Sequence, residues 1–290
     1  MNTLEITLLI LAVCAVYSFI AGFVTRNYSQ VDRLWSVLPP VYVLIWAFDF
    51  GKYPLFWLTA VPVIMWGVRL TWNFTRRGGY AFSWKKGFYE EDYRWPILRE
   101  KIPNRFLFEL FNLFFITGFQ LGLVFLFTYP VYLTGLAAAE GSSIQGVHIV
   151  LAAVHLALLV LETIADNQQF AFHARKKDTS DPDYKRLSLG FNTFGLWRFS
   201  RHPNYVCEMA QWVVVMFFAY SVLGSFNIFF FAAPVLIILF IGSTIMAEII
   251  TDSKYSRFKD WKKATPPWIP FIDWPLRANN RKAFFESLKN

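Results

Sequence analysis

Apolar residues in this chain gather into long, nearly uninterrupted blocks, and no other feature of the sequence limits its fold so strongly. The blocks run at about 5–24, 37–50, 54–75, 106–128, 147–168, 205–222 and 226–248. A helix needs about 20 predominantly apolar residues to cross hydrocarbon, and inside lipid every backbone polar group must be satisfied within its own segment. The expected fold is therefore all-α: a polytopic membrane protein of about seven transmembrane helices, forming one transmembrane domain over residues 1–290. Only Gly51-Lys52-Tyr53-Pro54 separates the second block from the third, and the second is brief for a crossing, so a bent hairpin is the alternative there. The first block has no preceding basic region and no small-residue cleavage site, and reads as a retained helix rather than a signal peptide. Composition agrees, since 17% of residues are charged and 56% hydrophobic, against about 25% charged in soluble domains.

A net charge of +8 invites a nucleic-acid partner, but the positions of the cations exclude that reading. Of 28 Lys and Arg residues, 26 lie in segments 25–36, 76–105, 169–204 and 251–290, which seven crossings place on one side of the membrane. The segments near 129–146 and 223–225 have none. That asymmetry predicts an outside N-terminus and a cytoplasmic C-terminus. Cys14 and Cys207 sit in apolar blocks without ligand-like spacing, so neither a disulfide framework nor a thiolate metal site is expected. The four histidines form no HExxH pair, and no metal is indicated. There is no dinucleotide GxGxxG after a strand and no phosphate-binding P-loop. Gly118 and Gly122 form a GxxxG in the fourth block, a pattern that suits a homodimer.

Ionisable groups within a span cost about 2.5 to 3.5 kcal/mol each on insertion scales, so each needs a partner or a purpose. Glu162, Asp166 and Gln169 share one helix face by their i, i+4, i+7 spacing, and Arg69, Asn73 and Arg76 repeat the pattern on the third block. Glu208 and Glu248 lie one or two turns inside the sixth and seventh blocks. Pairing between helices, as of Arg69 with Glu162, accounts for single residues. The whole set, gathered at one depth, predicts a polar cavity open to the cytoplasm.

The densest segment is Gly195-Leu196-Trp197-Arg198-Phe199-Ser200-Arg201-His202-Pro203-Asn204-Tyr205. Pro203 suits the first turn of a helix, which places Arg201, Tyr205 and Glu208 on one face with His202 and Asn204 beside them. Free N–H groups at a helix start, with two arginines, make a ready site for phosphate or carboxylate.

These residues resemble the signature of membrane proteins related to steroid 5-alpha-reductase, and in particular the bacterial group with a 5-alpha-reductase-like C-terminal domain, the DUF1295 type. Asp32-Arg33-Leu34-Trp35-Ser36, Trp66-Gly67-Val68-Arg69-Leu70, Glu91-Asp92-Tyr93-Arg94-Trp95, Asp166-Asn167-Gln168-Gln169-Phe170 and Tyr255 to Phe271 are similar to the group's other blocks, in order. The resemblance spans about residues 30–272, its cofactor-binding part about 147–272. It implies a seven-helix bundle, in a bacterial inner membrane, that holds NADPH and passes hydride to an activated carbon–carbon double bond of a lipid-soluble, steroid-like or enone-type substrate. Arg69, Asn73, Asp166, Arg198, Arg201, His202, Asn204, Tyr205, Glu208 and Tyr255 would then bind the cofactor, with Asp32 and Tyr93 as candidate catalytic residues. Trp66 stands where the steroid reductases carry a tyrosine thought to polarise the substrate carbonyl, a departure from their pattern. Isoprenylcysteine carboxyl methyltransferases, which bind S-adenosylmethionine, share an Arg-His-Pro-x-Tyr block and are the alternative.

Overall fold

The computed structural model describes residues 1–84, 87–269, 273 and 275–288. Lys85, Lys86 and Lys289 of the basic segments, and Pro270 and Phe271 of the tail block, lie outside the described residues. Seven helical stretches are long and apolar enough to cross a membrane, and the only strands among the described residues form a hairpin of two-residue strands, β1 (Phe82–Ser83) and β2 (Gly87–Phe88). The protein is an all-α polytopic membrane protein. Two compact units divide it: residues 1–154 with 214–232, and residues 155–213 with 233–290.

In the first unit, helix α1 (Thr3–Thr25) starts from a capping box, with the Glu5 N–H donating to Asn2 Oδ1 at 2.8 Å and the Asn2 N–H to Glu5 Oε2 at 3.0 Å. Leu8, Leu9, Val13, Val16 and Ile20 are exposed around it, as on a helix that meets lipid. The short second block acquires a preceding turn, α2 (Gln30–Trp35), before α3 (Leu38–Phe50), and residues 30–50 together form one apolar stretch of 21 residues. Helix α3 packs against α4 (Pro54–Arg76), and Gly67 sets how close they come: a Cβ there would lie 2.2 Å from Pro40 Cγ. Trp46, Phe56 and Trp66 are fully buried, and Trp46 Nε1 donates to Thr7 Oγ1 at 3.2 Å, tying α3 to α1.

After α5 (Arg94–Lys101), helix α6 (Arg105–Phe111), a π-helical segment Asn112–Phe119 and α7 (Gln120–Ala139) run on as one 35-residue stretch. This corrects the expected end at residue 128. Pro130 sits inside α7 without ending it, because Val131, Tyr132 and Leu133 are all buried and packing outweighs the proline's cost. The connection that follows is therefore much shorter than 129–146. Among the described residues nothing lies within 4 Å of a Cβ built at Gly122, and at Gly118 such an atom meets only the chain's own Leu113, so this GxxxG seats no helix of the same chain.

In the second unit, α8 (Gly146–Arg175), which begins in the first, runs about two turns beyond its expected end at 168. A loop carrying α9 (Tyr184–Leu187) and a 3₁₀ turn, Gly195–Arg198, leads to α10 (Pro203–Leu223), whose first part belongs here. Helices α11 (Ala232–Lys254), α12 (Phe258–Ala264) and α13 (Ala278–Glu286) complete it. Phe191, Phe258, Trp261, Ala264 and Phe284 form its apolar core between the loop and the last two helices.

Candidate functional site

The Gly195 motif is fixed to α8 by Gln168. Its side-chain oxygen accepts the Leu196 N–H at 2.8 Å, its carbonyl accepts from Asn192 Nδ2 at 3.3 Å, and Trp197 Nε1 donates to the Ala165 carbonyl at 2.9 Å. Gly195 has φ +55°, and a Cβ there would lie 2.4 Å from the Gln168 amide, so both backbone shape and space call for glycine. Sequence reasoning left Gln168 out of the site; the signal available was its place in the same block as Asp166.

Three buried carboxylates line the facing parts of α8 and α10. Asp166 Oδ1 accepts from Asn204 Nδ2 at 3.3 Å, Glu162 Oε2 accepts from Gln211 Nε2 at 2.6 Å, and Glu208 Oε1 accepts from Trp212 Nε1 at 3.1 Å. Asp166, Glu162 and Glu208 are all buried. The buried Asn204 Oδ1, Gln211 Oε1 and His155 Nε2 have no hydrogen-bond partner among the described residues. Buried polar atoms without partners are rare enough to need an explanation. Gln211 and His155 were not anticipated, because a lone glutamine or histidine in an apolar block carries no spacing signal.

Arg201 is buried and bonds groups of the chain's own second unit. Its Nε and Nη2 bond Glu248 at 2.7 and 3.1 Å, and its Nη1 donates to the carbonyls of Lys262, at 3.0 Å, and Thr265. The N–H groups of Arg201 and His202 donate to the Pro266 and Pro267 carbonyls at 2.9 and 3.1 Å. The expected anion-binding helix mouth is thus occupied by the chain's own tail, because a rigid Pro-Pro segment offers two carbonyls with no competing N–H of their own. His202 Nε2 lies 3.1 Å from Glu248 Oε1, and its ring stacks on Tyr205 at 5.4 Å. Arg198 is exposed, with its guanidinium 4.7 Å from the Phe285 ring. Tyr255 lies over Gly190 and edge-on to Phe191 at 6.3 Å, within the apolar core. Structure therefore brings Asp166, Asn204 and Glu208 to one seam, while Arg201, Arg198 and Tyr255 serve other contacts.

Arg69 and Asn73 belong to the first unit, where the buried Asn73 Oδ1 accepts from Arg76 Nε and Nη2 at 3.0 and 2.7 Å. In the same unit Asp32 accepts from Trp95 Nε1 at 2.8 Å and pairs with Arg94 at 3.2 Å. Arg94 also holds Asp92 at 2.7 Å, whose N–H donates to Ser29 Oγ at 2.8 Å. Glu91 accepts the Tyr28 N–H at 2.9 Å and pairs with Arg99 at 2.7 Å, and burial raises its carboxyl despite both. Blocks 32–36 and 91–95 are thus knit together, with Tyr93 half exposed at their edge. Nearby, the buried Tyr28 hydroxyl donates to Glu109 Oε1 at 2.7 Å, and burial with the Glu109 contact pushes that phenol up to about 12. Tyr28 and Glu109 escaped the sequence reading because 81 residues separate them.

The sequence has counterparts among known proteins. A protein of Schizosaccharomyces pombe, described as uncharacterized, is 33% identical over 279 residues, covering 88% of this chain and 78% of its own. No solved structure matches the chain. The relative is fungal, so the resemblance reaches beyond bacteria. The DUF1295 profile, described as a protein of unknown function, matches residues 18–265 and so includes both the Asp32 and the Asp166 clusters. The chain belongs to that family, which is the steroid 5-alpha-reductase-like family of membrane proteins.

Proposed function

We propose that this protein is a membrane-embedded reductase that uses NADPH to reduce an activated carbon–carbon double bond in a lipid-soluble substrate. Family membership supports the oxidoreductase class. The observation that carries the reading is the α8/α10 seam, where Asp166 and Glu208 are buried beside an Asn204 oxygen that lacks a partner. Carboxylate and amide oxygens in a dry site accept hydrogen bonds from hydroxyl and carboxamide groups, and repel phosphate. The seam therefore fits the ribose and nicotinamide end of a dinucleotide. When bound, the cofactor supplies the hydride. Asp166, Asn204 and Glu208 would orient it, and His202 and Tyr205, stacked at the start of α10, would close the seam to water. Arg201 acts as a positioning residue, holding α10, α11 and the tail in register through Glu248.

One observation favours a second reading. Three buried carboxylates also suit the sulfonium and ammonium of S-adenosylmethionine, as in the isoprenylcysteine carboxyl methyltransferases. Calorimetric titration of the purified protein with NADPH and with S-adenosylmethionine separates the two. NADPH binding that Asp166→Asn weakens by tenfold or more, at unchanged melting temperature, is the expected result. Binding of S-adenosylmethionine alone would overturn it.

A further inference from the structure

A second cluster in the same unit lies outside the α8/α10 seam. Arg198, Arg281, Lys282, Phe285 and Glu286 line an open cleft of about 280 Å3 between the 3₁₀ turn and α13. The Phe285 ring is the common support, with the Arg198 guanidinium 4.7 Å from its centre and that of Arg186 5.3 Å from it. Arg186 is braced from behind, since its Nε donates to Thr193 Oγ1 at 2.8 Å and its Nη2 to the Thr193 carbonyl, and it sits 3.8 Å over Phe194. The Arg198 guanidinium makes no hydrogen bond or ion pair among the described residues. Among the described residues Glu286 is the one carboxylate lining the cleft; it is 4.0 Å from Lys282, and both side chains are largely exposed.

Like charges collected around one ring are unfavourable unless something anionic comes between them. Burial, and after it the Arg198 charge, depresses the titration of both Arg186 and Arg281. Planar guanidiniums fixed by ring contacts are pre-organised for phosphate oxygens. The residues next along the chain are apolar and exposed: Phe199 follows Arg198, and Leu276, 85% exposed, precedes Arg277 and α13. Arg198 also stands five residues before Pro203, where a membrane-spanning helix begins. Cations beside exposed apolar side chains at the end of a span are the pattern that holds charged lipid headgroups. Arg281, Lys282 and Phe285 lie beyond residues 18–265, so the family match covers the Arg198 side of the cleft but not the α13 side.

We propose that this cleft binds the headgroup phosphate of an acidic phospholipid, gripped by Arg198, Arg281 and Lys282 over the face of Phe285. The test is binding of short-chain phosphatidic acid, phosphatidylglycerol and phosphatidylcholine to the full chain in neutral detergent, with inorganic pyrophosphate as the soluble arm. The two acidic lipids are expected to bind at least tenfold more tightly than phosphatidylcholine, and more weakly as salt rises. Pyrophosphate is expected to compete only weakly. Arg198→Gln together with Arg281→Gln should remove that preference, while Phe285→Leu, which keeps apolar packing and loses the ring, should reduce it by a few fold. Should the double variant fold poorly, Lys282→Glu on the exposed rim gives the same direction. Equal affinity for phosphatidylcholine, a preference unchanged in these variants, or pyrophosphate binding as tightly as the lipids would each overturn the assignment.

Discussion

Arg201 shows what a single residue's surroundings add to its type. Its cation beside a helix start was legible as an anion site, but the partner that takes the charge, Glu248, lies 47 residues on, and no local spacing announces it. With side chains only 7% and 15% exposed, this pair behaves as a buried one. Arg201→Ala should lower stability by about 3 to 5 kcal/mol, because Glu248 is left charged without its main partner. Thermal unfolding of Arg201→Ala, Glu248→Gln and the double variant checks this: the double change should cost less than the sum of the singles. Tyr28 poses a smaller version of the same problem. Tyr28→Phe removes one hydrogen bond from a buried carboxylate and should cost about 1 to 3 kcal/mol. A melting temperature unmoved by that change would mean that Glu109 is satisfied by the Asn112 amide, 3.0 Å away, alone.

Among the elements, those with long apolar runs lie where the sequence places them; the first, third and sixth end within two residues of the expected bounds, whereas the fourth and fifth run on past theirs. The fourth block was expected to end at residue 128, yet burial of Val131 to Leu133 carries α7 through Pro130 to Ala139. Such burial depends on neighbours that a local pattern does not contain. The 3₁₀ turn at Gly195 was visible only as a motif, since its cause is the Gln168 amide below it. The loop between α8 and α9 is tied by Arg175, whose Nε and Nη2 reach Asp181 at 2.8 Å each. Those bonds hold the Asp181 carboxyl below its usual range. A depressed carboxylate stabilises above the unfolded value, and that contribution disappears as pH falls through the depressed one. Hydrogen exchange at the Ser180 and Asp183 amides, which donate to Asp178 and Asp181, should therefore show protection at neutral pH that fades under acid conditions. Protection that persists unchanged at pH below 3 would place the loop's order elsewhere.

At the scale of the whole molecule, seven crossings follow from composition and blocking, and among the described residues seven helical stretches are long and apolar enough to make them. Orientation follows from the cations: with 26 of 28 on one side, the C-terminus is expected in the cytoplasm and the connection near Glu140 outside. Reporter fusions at both places should give opposite signals, and a cytoplasmic signal at Glu140 would rule out seven crossings in this order. The candidate site was half legible. Asp166, Asn204 and Glu208 were named from spacing and resemblance, whereas Gln168 became visible only from the loop it holds, and Gln211 and His155 only when α8 and α10 faced each other.

The Arg201 anchor also has a consequence in time. Every hydrogen-bond acceptor of that guanidinium is made after it: the Glu248 carboxylate comes 47 residues later and the Thr265 carbonyl 64 residues later. At about 5 to 20 residues per second of synthesis, the arginine waits roughly 3 to 13 s before its last acceptor leaves the ribosome. During that interval α10 must be inserted with an unmatched cation at its start, held by water and headgroups alone. The bond that locks the finished unit is therefore among the last to form, and a nascent chain halted before Glu248 would carry an exposed positive mark of its unfinished state.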